Sequence, residues 1–521
     1  MRGMRLFQRP IPLVGTLCGL GILAPLALAW ALDLSKPDSN EPRESVSVQD
    51  AVLRALEHNL DITISRQTKD SRLQDIIAEQ AKFDPTFSLN GQYNRQVAPL
   101  NRPIFGFSPT SSSSDDPEKF DQNQVNITAD MTQNLLTGAN YDLNYSPTRT
   151  NVAGQNTFLF NPAYTSGLAL TLTQPLLRNF GVDINKTFIN IAQNNAKVEE
   201  HVFRDRVLTV IATVEQSYWE LVFVNENLKV AQLALKAAEE LLASNKAKAK
   251  AGVMAIVDVL QAQAAVASRV EQVLLAEKAI RDQEDQFRRL LNPSEEELRQ
   301  DMRLIPVDKP LQALEAISLE EALDTALQRR PEILQAAKNV ETSELNTKFA
   351  KNQLLPNLSF QGTSGLAGLG KDPADMVNKG FSGDFYNYGA GLVLSYPLGN
   401  RSATSQYNKR QLEGRNAQVT LQSIRQQVIV TVREGVRRVQ TDFKRIETTR
   451  SARIMAEKQL QAEQQRLNVG LSTTRFVLDF QRDLATALGN ELRAVVDYNK
   501  SLSNLARVKA TTLDRYHIEL S

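Results

Sequence analysis

The chain has 521 residues, enough for two or three ordinary domains or for one elongated architecture. Its 60 basic and 59 acidic side chains nearly balance, so no global positive field attracts nucleic acid. Apolar residues make up 42% of the chain, beside 24 Gly and 20 Pro, and this composition excludes disordered and collagen-like proteins.

The amino terminus is typical of a secretory signal peptide. Basic residues precede an apolar run at residues 11–28, and small residues follow it up to Ala31. We predict cleavage after Ala31, so that residues 1–31 form the signal peptide; the alternative, a retained anchor, is disfavoured by the short, proline-interrupted run. Cleavage would remove Cys18, the only cysteine. No later run reaches the roughly 18 apolar residues of a spanning helix, so membrane insertion would require a closed β-barrel.

The rest of the chain consists of two similar halves. The segment that starts at Ser47 returns at Ser318, and the same offset later relates Pro85 to Pro356. Each half opens with a Ser that is followed three residues later by an acid, which is a helix-start signature. Each half then continues through alternating, strand-like segments, a very long helix, a Gly-bearing turn and a second helix. We therefore predict an internal duplication.

The predicted boundaries follow from this duplication. The first repeat covers residues 46–292, with strands at about 84–176 and a helical hairpin at about 182–292. A linker follows at 293–317. The second repeat covers residues 318–515, with strands at about 357–397 and a helical hairpin at about 401–513.

Apolar residues recur every seven positions in the helical part of each half. The first half has Val207, Val214, Leu221, Leu228, Leu235 and Leu242, with a companion seam at Val210, Val224, Ala231 and Ala238. The second half has Ile429, Val436 and Phe443 beside Val432, Val439 and Ile446. A sustained heptad predicts supercoiled helices, and about 70 residues of helix would form a rod of about 100 Å. An ordinary coiled coil is the alternative for the helices alone.

Strictly alternating segments lie between the helices. Tyr388, Leu392 and Tyr396 share one face of such a segment, and the two Tyr lie about 27 Å apart at 3.4 Å per residue, close to the height of an outer-membrane apolar band. A soluble sheet would also alternate, but several strands behind a signal peptide, with polar loops at Ala98–Asp121 and Gly365–Asp384, favour a membrane barrel. Because closed barrels start at about eight strands, several copies must share one barrel.

Several short motifs recur in order along both halves. They are the opening Ser-Val/Leu-x-x-Ala-x-x-x-Ala-Leu, the Pro before each first strand, the strand exit Gln174–Leu177, and Gly470-Leu471-Ser472 followed by Val477–Asp479. Over about residues 46–515 the chain resembles the TolC-type outer-membrane efflux proteins. The resemblance implies a mixed α and β fold, in which three copies share one outer-membrane β-barrel that continues into a periplasmic tunnel of twelve helices. It also implies a passive exit duct of a tripartite efflux or type I secretion system, docked to a periplasmic adaptor and an inner-membrane pump.

The resemblance also implies two sets of functional residues. Family members narrow their periplasmic entrance with acids just past the helix turns, and Asp258 and Asp479 are assigned to this constriction as matching positions, where rings of carboxylates would favour cations. The adaptor-docking tip is assigned to Gly252, Val253, Val469, Gly470, Leu471 and Ser472. Phe476 replaces a second family acid and Ser472 a basic partner, which simplifies the polar lock. The alternatives are a solvated helix face for each Asp and a plain hairpin turn for the tip.

One predicted hairpin departs from the simplest family members. Residues 125–131 and 141–145, joined by a turn that contains Gly138, alternate like strands. Either the barrel has six strands per copy or the hairpin lies outside the membrane. The mismatch between an eighteen-strand barrel and a twelve-helix tunnel favours the second alternative.

Two competing functions are disfavoured by the sequence. An enzyme is not expected, because His58, His201 and His517 lack metal-ligand spacing and no phosphate-binding loop follows a strand; we expect no cofactor and no metal. A trimeric surface adhesin with a membrane barrel is the nearer rival, but strands in both halves and a helical end favour the duct. The expected partners are two further copies, the adaptor, the pump and outer-membrane lipid, and no nucleic acid.

Overall fold

The structure is a computed structural model that describes residues 43–99, 119–153, 158–299 and 302–520. The predicted signal peptide and most of the loop predicted at Ala98–Asp121 lie outside the described residues. The described chain consists of long helices that continue into one large antiparallel β-sheet, with a small parallel pair of strands beside the helices.

The helices of the two halves correspond in order and length. The first half contains α1 Val48–His58, α2 Leu60–Gln80, α3 Val182–Asn185, α4 Thr187–Lys250, α5 Ile256–Leu291 and α6 Glu295–Arg299. The second half contains α7 Leu319–Arg329, α8 Pro331–Asn352, α9 Pro373–Gly380, α10 Arg401–Asn468, α11 Thr474–Val508 and α12 Thr512–Arg515. Because α1, α2, α4 and α5 have their counterparts in α7, α8, α10 and α11, the predicted duplication is confirmed.

The first helix of each half starts at a serine cap, as the sequence predicts. The hydroxyl of Ser47 accepts a hydrogen bond from the N–H of Asp50 at 3.1 Å, and that of Ser318 accepts one from the N–H of Glu321 at 3.4 Å. Pro331 occupies the start of α8, where its missing N–H costs nothing because no intrahelical acceptor is available there.

Four helices form the long rod of the molecule. α4 has 64 residues and α10 has 68, so each is about 100 Å long at 1.5 Å per residue. α5 and α11 return along them, and heptad residues such as Val207, Val214 and Val432 are fully buried. α4 is long and apolar enough to cross a membrane by composition, yet 67% of its most apolar segment is buried. It is therefore a core helix of the rod.

The strands belong to two sheets. They are β1 Arg43–Val46, β2 Thr86–Pro99, β3 Lys119–Asn134, β4 Asn140–Tyr145, β5 Thr148–Val152, β6 Ala163–Pro175, β7 Arg303–Pro306, β8 Asn357–Gly370 and β9 Tyr386–Ser395. β1 pairs with β7 in parallel, and the others form an antiparallel sheet in the order β2, β3, β4, β6, β8, β9. β5 continues β4 between β3 and β6. Pro147 lies between β4 and β5, and its carbonyl accepts the N–H of Ile127 on β3 at 3.0 Å. Because β4 and β5 both pair with β3 and with β6, they occupy one position, and the described sheet has six strand positions.

The predicted hairpin is hydrogen-bonded into this sheet rather than set apart from it. β3 pairs with β2 along the whole of Thr86–Pro99, and β4 pairs with β6 from Asn140 to Tyr145. The hairpin therefore belongs to the same sheet as the strands that are predicted to span the membrane, whereas its position relative to the membrane stays a prediction. A tight turn at Leu135–Ala139 joins β3 to β4, so these two strands need no helices of their own.

The linker between the two halves packs against the long helices of both. The hydroxyl of Tyr218 on α4 donates to the carboxylate of Asp308 at 2.8 Å and accepts the N–H of the same residue at 3.1 Å. Burial raises the pKa of Tyr218. On α11, the hydroxyl of Tyr498 donates to the carbonyl of Ala313 at 2.8 Å. The predicted linker thus contacts both long hairpins.

Candidate functional site

Each long helical hairpin turns at a glycine, at the end of the rod remote from the sheet. Gly252 has a φ of 75° and Gly470 a φ of 79°, a left-handed conformation that residues with a Cβ rarely adopt. The N–H of Val253 and that of Leu471 bond the carbonyl five residues earlier, at 3.0 and 2.8 Å, which closes each helix end. The two turns are therefore equivalent structures.

The predicted tip residues lie together at this end and are largely exposed. The side chains of Val253, Val469 and Leu471 are 74%, 70% and 79% exposed. A Cβ at either Gly252 or Gly470 would meet no atom within 4 Å. These apolar side chains lie in open space at the turns and therefore make no contribution to the core of the rod.

The two acids predicted to narrow the entrance do not occupy equivalent positions. Asp258 is the third residue of α5, whereas Asp479 is the sixth residue of α11. Because both helices begin four residues after their glycine, the structural counterpart of Asp258 is Phe476, which is 54% exposed. Asp479 lies 3.5 Å from the guanidinium of Arg482. The two acids were expected at matching positions, but Asp479 lies three residues farther into its helix than Asp258 does. Each acid still lies close to its turn.

A buried amide that the sequence analysis missed joins the two hairpins at this end. Asn245 of α4 is fully buried, and its amide donates to the hydroxyl of Thr474 at 3.0 Å and to the carbonyl of Asp258 at 3.4 Å. Its Oδ1 is buried without a hydrogen-bond partner. Asn245 continues the companion seam seven residues after Ala238, so a polar residue on an apolar seam was the available signal.

Ser472 is held by a carboxylate of the helix that precedes its turn. Its hydroxyl donates a short hydrogen bond to Glu463, which is 8% exposed, and Arg466 lies 3.4 Å from the same carboxylate. Ser472 therefore fixes the second turn rather than standing free for a partner.

Positive charge also gathers behind the tip. The pKa of Arg269 on α5 is lowered by burial and by the neighbouring charge of Arg482 on α11. Arg482 contacts Asp479 on one side and Asp483, at 3.8 Å, on the other. The electrostatics near Asp479 are therefore those of a mixed cluster and not of an isolated acid.

A chain of ion pairs lies farther along the rod. Glu220 of α4 binds Arg493 of α11 at 2.8 Å and forms a short hydrogen bond with Lys500. Arg493 continues to Asp497 at 3.0 Å, which binds Arg445 of α10 at 2.8 Å. Burial alone would raise the pKa of Glu220, but the hydrogen bonds and charges of Lys500 and Arg493 together outweigh it and lower that pKa. These pairs hold the two hairpins together, and nothing in the sequence pattern indicated them.

Comparison with known proteins identifies the family. The Outer membrane efflux protein family matches residues 51–293 and 322–510. The outer membrane protein TolC of Vibrio cholerae is 23% identical over 326 residues, 62% of this chain and 72% of its own. The pyoverdine export outer membrane protein OpmQ of Pseudomonas putida is 24% identical over 305 residues, 57% of this chain and 62% of its own. The structure of the outer-membrane channel OprN superposes with a TM-score of 0.65 at 14% identity, over 89% of this chain and 90% of that one.

Since the family match covers most of the chain in two segments, the chain belongs to the outer membrane efflux protein family. It is an outer-membrane efflux channel with a periplasmic helical part, and it is a transport protein rather than an enzyme. The resemblance and the fold predicted from the sequence are confirmed, including the two repeats.

Proposed function

We propose that three copies of this chain share one barrel and form the exit duct of a tripartite efflux or type I secretion system. TolC-family channels are trimers that act in tripartite pumps. The observation that carries the proposal is the open sheet, which runs directly into the rod through β2, β6, β8 and β9.

The edges of the sheet support its closure between copies. In the described sheet β2 pairs only with β3, and β9 pairs only with β8. Unpaired backbone groups cost several kcal/mol each in lipid, so a spanning sheet must close on itself. Because neighbouring strands alternate in direction over six positions, β9 of one copy would meet β2 of the next as an antiparallel pair.

The surface of the rod supports the same assembly. Large apolar side chains on α2 and α10 are left uncovered in a single copy. They are Ile64 at 61%, Ile77 at 56%, Leu412 at 58%, Val419 at 64% and Val430 at 60% exposed. Burial of such side chains is worth about 25 cal/mol per Å² of apolar area, so packing of neighbouring copies would stabilise the tunnel.

The tip would serve as the entrance and the docking surface. Its exposed apolar turns, with Gly252, Val253, Val469, Gly470 and Leu471, would contact the helices of a periplasmic adaptor that is coupled to an inner-membrane pump. Asp258 and Asp479 would narrow the entrance at slightly different heights, where their charges favour cations.

Conductance across a planar lipid bilayer tests the channel directly. Purified full-length protein added to one side in potassium chloride should produce discrete steps in current. Protein that is folded by circular dichroism and incorporates into vesicles, but gives no current steps, would contradict the proposal.

A further inference from the structure

The strands of the extra hairpin carry the same apolar face as the strands on either side of them. Between β2 and β3 the cross-strand pairs are Phe87 with Met131, Leu89 with Ala129 and Tyr93 with Val125. Between β4 and β6 they are Tyr141 with Leu172, Leu143 with Leu170 and Tyr145 with Leu168. Residues that pair across neighbouring strands lie on the same side of the sheet. One apolar face therefore runs without interruption from β2 through the hairpin to β6.

This face is not covered by any part of the described chain that would make it a core. The side chain of Phe87 is 69% exposed, Tyr93 65%, Ile127 46%, Leu143 37% and Leu170 45%. A contiguous exposed apolar surface that crosses four strand positions is typical of an interaction or membrane surface rather than of the exterior of a soluble monomer. Lipid is the medium that removes such a face from water.

The opposite face of the hairpin is polar. It carries amides and hydroxyls on neighbouring strands, namely Asn90, Gln92, Asn126, Thr128, Asn144 and Thr171. In the part of the sheet that the structure describes, the charged side chains among the paired residues of this face are Asp130 and Asp142. Asp130 accepts hydrogen bonds from Asn144 and, at 3.4 Å, from Ser88. A face of this composition suits a water-filled lumen.

Two arginines lie near the outer end of the apolar face. On β2 and β3, Arg95 binds Asp121 at 2.7 Å. On β5, the guanidinium of Arg149 donates to the hydroxyl of Tyr164 at 3.2 Å. Both arginines lie on the apolar side near its outer end, since Arg149 pairs with Val125 and Tyr164 and Arg95 follows Tyr93 on β2. A strand would leave the hydrocarbon layer and meet polar groups in this region.

The turn between β3 and β4 lies where the sheet meets the rod. Because these two strands are joined to each other there, they do not continue into helices of the rod. The turn at Gly138 has a φ of 92°, and a Cβ there would collide with the carbonyl of Asn179. The N–H of Gly181, just before α3, donates to the carbonyl of Thr137 at 3.1 Å. The hairpin thus turns back where the sheet meets the rod and rests against the start of the helices.

We propose that the hairpin of β3, β4 and β5 is part of the membrane wall, with its apolar face against lipid and its polar face toward the lumen. The proposal rests on the proposed function, since it needs the shared barrel. Three copies with six strand positions each form a barrel of eighteen strands rather than twelve. Because barrel diameter grows roughly linearly with strand number, the exit is about one and a half times wider. The hairpin also brings Asp130 and Asp142 into that lumen.

Site-directed spin labelling of the full-length protein in lipid vesicles tests the proposal. Each label is attached to a single introduced cysteine, since the predicted cleavage after Ala31 removes Cys18. The labelled positions are Ile127→Cys and Leu143→Cys on the apolar face and Thr128→Cys and Asn144→Cys on the polar face. Leu170→Cys and Thr171→Cys on β6 are the matched controls. The readout is the collision rate of each label with oxygen, which concentrates in lipid, and with a water-soluble nickel chelate.

The proposal predicts that oxygen dominates at Ile127, Leu143 and Leu170, and that the nickel chelate dominates at Thr128, Asn144 and Thr171. If the β6 labels alternate while all hairpin labels prefer the nickel chelate, the hairpin lies outside the membrane and this inference is overturned, but the duct stands. If the β6 labels fail to alternate as well, the sheet does not span the bilayer and the proposed function fails with it.

Discussion

The side-chain amide of Asn245 on α4 donates a hydrogen bond to the hydroxyl of Thr474 on α11 at 3.0 Å, and both residues are fully buried. This contact crosses from the first helical hairpin to the second just behind the tip. Because the same amide also reaches the carbonyl of Asp258, one side chain links the starts of both returning helices. Movement of either hairpin at the tip would break it.

Replacing Asn245 should loosen the tip. Asn245→Ala leaves the Thr474 hydroxyl and the Asp258 carbonyl without this donor, which costs about 1–3 kcal/mol for buried polar groups. We expect faster amide hydrogen exchange in the first turns of α5 and α11 and a higher resting conductance. The matched control is Asn225→Ala on the same helix, whose amide bonds only the carbonyl of Leu221 in the residues described. Equal exchange rates in Asn245→Ala and wild type would show that the contact does not hold the tip.

The acids at the entrance should set its electrostatics. Asp258→Ala combined with Asp479→Ala should raise resting conductance in planar bilayers and weaken block by multivalent cations, because the carboxylates that attract them are gone. The control is Asp282→Ala, which removes one acid from the far end of α5. Salt must be matched, since screening acts over about 10 Å at 0.1 M. If conductance and cation block both remain at wild-type values, these acids are solvated helix faces.

The turn at Gly470 should no longer dock to the adaptor when it carries a bulky cationic side chain. Gly470→Arg should abolish export while leaving assembly and membrane insertion intact, because no atom lies within 4 Å of the added Cβ. The control Gly470→Asn tests the φ of 79° alone, since Asn tolerates the left-handed region better than other residues. The measurement is accumulation of a fluorescent dye that wild-type cells export. Unchanged dye export by Gly470→Arg would remove the docking assignment.

The ion pairs of Glu220 should make stability depend on pH. The pKa of Glu220 in the folded protein is below its ordinary value of 4.5. Its contribution is therefore fully present above pH 4.5 and is lost as the pH falls through the folded pKa. We expect Glu220→Gln to lower the free energy of unfolding by about 1.5–3 kcal/mol near neutral pH, and the difference to shrink in acid.

Thermal denaturation at several pH values measures this difference. The control is Glu226→Gln, an exposed partner of Lys229 within the same helix, which should change stability by about 0–1 kcal/mol. A deficit of Glu220→Gln that stays constant between neutral pH and pH 3 would contradict the linkage.

The features that the sequence predicted correctly depend on neighbours along the chain. The caps at Ser47 and Ser318 need only the next three residues, and the turns at Gly252 and Gly470 need only a residue that tolerates positive φ. The heptad seams follow from the period of the helix. Each of these signals depends only on residues close together in the chain, so it can be recognised in a single amino-acid sequence.

The features that the sequence analysis missed depend on which segments come together. Glu220 and Arg493 are 273 positions apart, and their pairing depends on how α4 packs against α11. Asp258 and Asp479 were assigned as equivalent because both follow a turn, whereas helix register separates them. The position of the hairpin depends on strand order, which alternation alone does not encode. Asn245 was detectable, as a polar residue on an apolar seam.

Native mass spectrometry of the protein extracted from outer membranes in mild detergent tests the shared barrel most directly. An open six-position sheet with edges at β2 and β9 cannot remain in lipid as a single copy. A barrel shared by three copies predicts one folded species with the mass of three chains. A stable, folded monomer extracted under the same conditions would contradict it.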